Sequence, residues 1–186
     1  MAVPLGAVLL HLGVIIAAVA TSGRAGDAQT PAETVEPIAA ILRAFESHAI
    51  VAVADDPHGS EQLHAFRMSL VRDPRFARVV DDIVVEFGNA RYQDVMDRFV
   101  RGDEVALDVL QKTWQDTTQV TAVWDRAIYE EFFREVRDVN SRLPRERQLR
   151  VLLGDPPVDW ERGPEDAGKW TPRRTEHAAQ VVLDQV

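Results

Sequence analysis

The chain contains no cysteine. That excludes disulfides, thiolate nucleophiles and zinc–thiolate sites, and it is compatible with export. A basic excess is also missing: 21 Lys and Arg stand against 30 Asp and Glu, for a net charge of −9. The arginines alternate with acids on helix faces instead of forming a stripe, so no nucleic-acid backbone is expected as a partner. The chain shows no internal repeat and no low-complexity tract. Its main apolar run, Val8 to Ala20, falls short of the ~20 residues that a membrane-spanning helix needs.

What is present suits one packed domain, since 186 residues with 46% hydrophobic side chains can build a core. The N-terminal apolar run ends in Ala18-Val19-Ala20, a small-residue pattern that a signal peptidase can cut, although no Lys or Arg precedes it. The expected organisation is a signal peptide and start of linker over residues 1–28, a linker over 29–36 and a single α/β domain over 37–186. The mature protein is then exported, periplasmic or secreted, with no stable membrane span once the signal is removed.

Three short apolar runs read as buried strands: Ile50 to Ala54, Asp82 to Phe87 and Arg150 to Leu153. Helical spacing separates them. Pro37 to Ser47 carries Ile38, Ile41, Leu42 and Phe45 on one face. Ser60 caps a helix to about Val71 whose apolar side holds Leu63, Phe66 and Leu70. Asp73-Pro74 ends that helix, and Pro74 can open a short one. Further helices are expected over Ala90 to Arg101, Val105 to Trp114, Asp125 to Leu143 and Arg174 to Gln185. The Gly154-Asp155-Pro156-Pro157 segment is expected to leave the sheet. Strands joined by helices need crossovers. The fold class is therefore α/β, with a mostly parallel sheet of at least three strands covered by helices.

Each predicted strand runs into an acid at its carboxyl end: Asp55, Glu86 and Asp155. In a parallel sheet these ends share one edge, the usual place for a site. His58 lies in the turn after the first strand, and Arg67 lies two turns into the next helix, leaning back toward its N-terminus. An imidazole backed by a carboxylate can take a proton from water, and an arginine with a helix N-terminus can stabilise an oxyanion. That combination outlines ester or amide hydrolysis by activated water. The same donors can instead bind a hard or borderline divalent metal, zinc less readily than others with one histidine. Plainer roles are open too. Asp55 and Asp56 suit an exposed turn, Asp155 suits a turn before two prolines, and Glu86 can cap a helix or pair with Arg91. His64 and His177 read as surface or boundary residues. Trp160 and Trp170, in the Pro/Gly-rich loop after the third strand, are core or rim residues by default, or line a pocket.

Asp55-Asp56-Pro57-His58-Gly59 followed by Arg67 resembles the Glu-x-x-His-Gly segment and downstream arginine of the erythromycin esterase family, part of a broader group that includes a haem-uptake lipoprotein type. The wording DIVVEFGNARYQD and RVLLGDPPVDW is similar to that of uncharacterised bacterial relatives of those esterases, over nearly everything from Ile50 onward. The resemblance implies His58 as the general base, Asp55 and Glu86 as orienting or polarising carboxylates, and Arg67 as the family arginine. It implies no metal and no cofactor. Asp155 and Trp160 are the expected substrate-binding residues, and the partner is a small molecule.

Asp55 is one methylene shorter than the family glutamate. The chain also stops at Val186, soon after Thr175-Glu176-His177, where family members continue to a further strand and a Gly-His segment. The domain is therefore expected to be incomplete at its C-terminus, with an unpaired sheet edge. The expected function is an exported hydrolase of an ester or related acyl bond, or one inactivated by truncation. The alternatives are a non-catalytic haem- or metal-binding protein of the same fold, or a decayed fragment.

Overall fold

A computed structural model describes residues 8–10, 35–54, 57–119 and 123–186. It is a mixed α/β arrangement in which helices dominate and a small parallel sheet carries the core. In chain order the elements are β1 (Val8–Leu10), α1 (Pro37–Ala44), β2 (Ile50–Ala52), α2 (Glu61–Arg72), α3 (Phe76–Val79), β3 (Asp82–Asn89), α4 (Gln93–Val100), α5 (Leu107–Gln115), α6 (Ala127–Asn140), β4 (Arg150–Asp155), α7 (Pro164–Trp170) and α8 (Arg174–Leu183). The spatial order of the strands is β2-β1-β3-β4. Every pairing is parallel, with Val84 opposite Leu152 and, past an irregularity, Asn89 opposite Asp155.

β1 comes from the apolar run that the sequence reading assigns to a leader. Val8 pairs with Ile50 on one side and with Asp82 on the other. The rest of the expected signal and linker, apart from these residues, Val35 and Glu36, lies outside the described residues. Among the described residues no helix is long and apolar enough to cross a membrane.

Side chains alternate along β3. Ile83, Val85 and Phe87 enter the large core with Val151 and Leu153, beneath α2, α4, α5 and α6. Val84 and Leu152 enter a smaller cluster with Val182 of α8. Phe76, Phe132, Phe133 and Tyr129 are wholly buried in the large core, and burying one such side chain is worth ~2–3 kcal/mol. α2 meets α6 through polar links as well as apolar ones. His64 Nε2 lies 3.0 Å from Glu131, and Arg72 is paired with Glu135. These links turn His64 and Arg67 inward with Met68, Leu70 and Val71. His64 is thus buried, not the surface residue that helical spacing suggests.

Several backbone groups are satisfied by single side chains. Asn140 donates to the carbonyls of Val100 and Leu149 and accepts from the Leu149 amide, tying α4, α6 and β4 together. Gln93 donates to the Val151 carbonyl at 2.8 Å and accepts from the Leu153 amide at 2.9 Å. Its amide thereby takes the position of a neighbouring strand on the outer edge of β4, the sheet edge expected to be unpaired, and blunts it.

Candidate functional site

The carboxyl ends of β3 and β4 are shaped by one glycine. A Cβ on Gly154 would lie 2.9 Å from the Val85 carbonyl oxygen, a backbone atom that cannot give way. Gly154 lets the strands stay close, so Gly154 and Asp155 remain in β4 instead of leaving the sheet. The prolines then end the strand. Beyond the irregularity, Asn89 seats the neighbouring loops. Its Nδ2 donates to the carbonyls of Asp116 and Val158, and its Oδ1 accepts from the Arg91 amide.

Two of the expected carboxylates meet here, and they meet on Arg174. Its Nη2 lies 2.7 Å from Glu86 Oε1, and its Nε donates to Asp155 Oδ1 at 2.9 Å. Asp155 also accepts from the Thr118 amide at 2.7 Å and from the Thr118 hydroxyl at 2.6 Å. Its side chain has no exposed surface, whereas Glu86 and Arg174 keep 23% and 19% of theirs. Burial pushes the Asp155 carboxyl above its ordinary value, outweighing the Thr118 and Arg174 bonds that favour the charge. With both oxygens engaged, Asp155 acts as a positioning group holding Arg174 and the 116–118 loop, while Glu86 keeps access to solvent.

The loop after β4 is stitched to the same edge. Trp160 Nε1 donates to the Thr117 carbonyl at 3.2 Å, leaving its partly exposed ring at the rim. Tyr92 donates to Asp116 Oδ2 at 2.9 Å. Burial, then that bond, pushes the phenol up to about 12, so it stays protonated.

The imidazole of His58 stands on the other side of β3. Ser60 caps α2 by accepting from the Leu63 amide, which fixes the turn that presents His58. The ring is exposed outward and rests against Trp124, with centroids 4.8 Å apart and planes tilted by 51°. Trp124 in turn contacts Phe87, and the Arg67 guanidinium lies 5.8 Å from the Phe87 centroid. Arg67 is only 3% exposed. Strand alternation places Phe87 and Glu86 on opposite faces, so His58 and Arg67 flank one side of the end of β3 and Glu86 and Arg174 the other. Asp55 lies outside the described residues.

Arg174, Thr118, Asn89 and Trp124 make contacts around these residues that the sequence reading does not single out. One signal was present for Arg174. Two cations, Arg173 and Arg174, open α8, an unfavourable place for positive charge against the helix dipole unless carboxylates answer it. Among the described residues no group of three or more histidine or acidic side chains is arranged to hold a metal ion. Comparison with family models, curated proteins and solved structures finds no match to this chain.

Proposed function

We propose that the carboxyl edge of the sheet is the site of a hydrolase acting on an ester or related acyl bond, in an exported protein of the erythromycin esterase-like group. The observation that supports it is the Glu86–Arg174–Asp155 cluster at the strand ends, with an exposed imidazole braced on Trp124 across the end of β3.

In this reading His58 is the general base. Its imidazole takes a proton from water while the water oxygen attacks the acyl carbon. The tetrahedral oxyanion is stabilised by Arg67, the cation on the His58 side of β3. Collapse breaks the acyl–oxygen bond, and the leaving alkoxide takes the proton back from the imidazolium, giving acid and alcohol. Glu86, held by Arg174 across the end of β3, polarises the edge. Trp160 bounds the substrate side, and Asp155 contributes through Arg174.

Cleavage of 4-nitrophenyl acetate, followed by phenolate release, tests this. His58→Ala should lower the enzymatic rate about a hundredfold or more, the usual worth of a general base. A rate that survives the substitution refutes the assignment. The non-catalytic reading is favoured by one observation, the complete engagement of the Asp155 oxygens. It predicts no turnover and saturable binding of haemin near His58 and Trp124, and a flat absorbance titration with haemin removes it.

A further inference from the structure

A cavity of about 390 Å³ opens beside the loop after β4, and its charge runs against that of the chain. Arg91, Arg162, Lys169 and Arg173 line it, with Asp159 and Asp166 as its acids. Four cations against two carboxylates leave a surplus of two positive charges, in a protein whose net charge is −9.

The two acids are already committed to holding the loop. Asp159 is 8% exposed, and its Oδ2 lies 3.1 Å from Arg91 Nη2 and 3.2 Å from Arg162 Nε. Its Oδ1 accepts from the Glu161 amide. Asp166 is 6% exposed, accepts from the Asp159 amide and pairs with Lys169 at 3.6 Å. That backbone bond, first, and the nearby Lys169 hold the Asp166 carboxyl below its ordinary value, so it stays charged. One carboxylate cannot saturate two guanidiniums, each of which carries five N–H donors. Arg173 has no ion-pair partner among the described residues. The cavity is therefore lined by guanidiniums whose donors its own carboxylates do not saturate. Trp170 and Pro157 supply an apolar wall, as small-molecule sites usually combine a few polar anchors with apolar lining.

We infer that this cavity binds the oxyanion group of a small organic molecule, a phosphate- or carboxylate-type anion whose body lies against Trp170 and Pro157. Guanidiniums suit such groups because they offer paired, charge-assisted hydrogen bonds to two oxygens at once. Arg173 adjoins Arg174 in sequence, so the cavity neighbours the proposed hydrolytic edge. If that proposal holds, the substrate is an ester carrying an anionic group. The anion site stands on its own geometry, and its test needs no turnover.

The probes are phenylphosphonate, whose carbon–phosphorus bond resists hydrolysis, benzoate and the neutral benzyl alcohol, titrated calorimetrically into the full chain. At least one anion should bind saturably, ten times or more tighter than benzyl alcohol, and should weaken as sodium chloride is raised. The preference between phenylphosphonate and benzoate distinguishes a phosphate from a carboxylate source. Arg162→Ala combined with Arg173→Ala should lower the affinity about tenfold, since two partly exposed charge-assisted contacts are lost. Both side chains are exposed, so the fold should survive, and an unchanged urea midpoint checks this. Lys112→Ala, on exposed α5 surface away from the cavity, should leave affinity unchanged. No saturable anion binding, equal binding of the neutral probe, or full affinity in the doubly substituted chain overturns the inference. His58→Ala should not alter the anion affinity, so loss of esterase activity and loss of this site are separable results.

Discussion

Replacing Arg174 by methionine removes the cation that Glu86 and Asp155 share while keeping much of its aliphatic bulk. Breaking a buried ion pair by deleting one partner costs ~3–5 kcal/mol, because the other charge is left uncompensated. Two features reduce that figure here. Arg174 keeps 19% of its surface exposed, and the Thr118 amide and hydroxyl still donate to Asp155. The expected loss is therefore about 2–3 kcal/mol near neutral pH, read from urea unfolding followed by far-ultraviolet circular dichroism.

The pH dependence carries the sharper test of Arg174→Met. The Asp155 carboxyl is already raised by burial in the native protein, and losing Arg174 raises it further. An acid held above its unfolded value of 3.8 takes up a proton in the folded state first, so folding gains as pH falls toward that value. The deficit of Arg174→Met should accordingly be largest above neutrality and shrink in acid. In a double-mutant cycle with Asp155→Asn the losses should fall short of additive by ~1–2 kcal/mol. A loss below ~0.5 kcal/mol with no pH dependence would refute the reasoning, since surface ion pairs behave that way.

Three further outcomes are expected. Asn140→Ala leaves the Leu149 amide and the Val100 and Leu149 carbonyls without their side-chain partner, and should cost about 3 kcal/mol in urea unfolding. Gly154→Ala sets a Cβ 2.9 Å from the Val85 carbonyl, so it should cost about 2 kcal/mol by strand displacement and lower the proposed esterase activity through the Asp155–Arg174 geometry. A chain beginning at residue 29 lacks Val8–Leu10, the strand that separates β2 from β3. It should unfold at a clearly lower urea concentration than the full chain, and an equal midpoint would show that this pairing adds nothing to the stability.

The strands over 50–52, 82–89 and 150–155 were legible because short β-branched runs between helical periods have few other uses. Glu86 and Asp155, at the ends of the second and third of these strands, were legible for the same reason. β1 was not, because Val8 to Leu10 has the composition of a leader core and nothing local distinguishes the two uses. α7 was hidden in a segment of 7 residues with Pro164 and Gly168, too short to show a period. The inward turn of His64 was hidden because its reason lies 67 residues away in Glu131.

The site residues divide along the same line. Acids at strand ends announce themselves through strand topology alone, whereas the cation answering them comes from whichever later helix packs there. Arg174 is that cation, and it opens α8, where a positive charge opposes the helix dipole by ~0.3–1 kcal/mol. Two carboxylates within 3 Å of its guanidinium more than offset that penalty. A cation placed at the wrong end of a helix is thus a readable sign that acids lie opposite, although the sequence does not say which acids. The dipole argument belongs to the helix and the ion pairs to the sheet, and only the fold brings them to the same guanidinium. Arg173, beside it, has no such acid among the described residues. It lines the cavity proposed to take an anion from outside the chain.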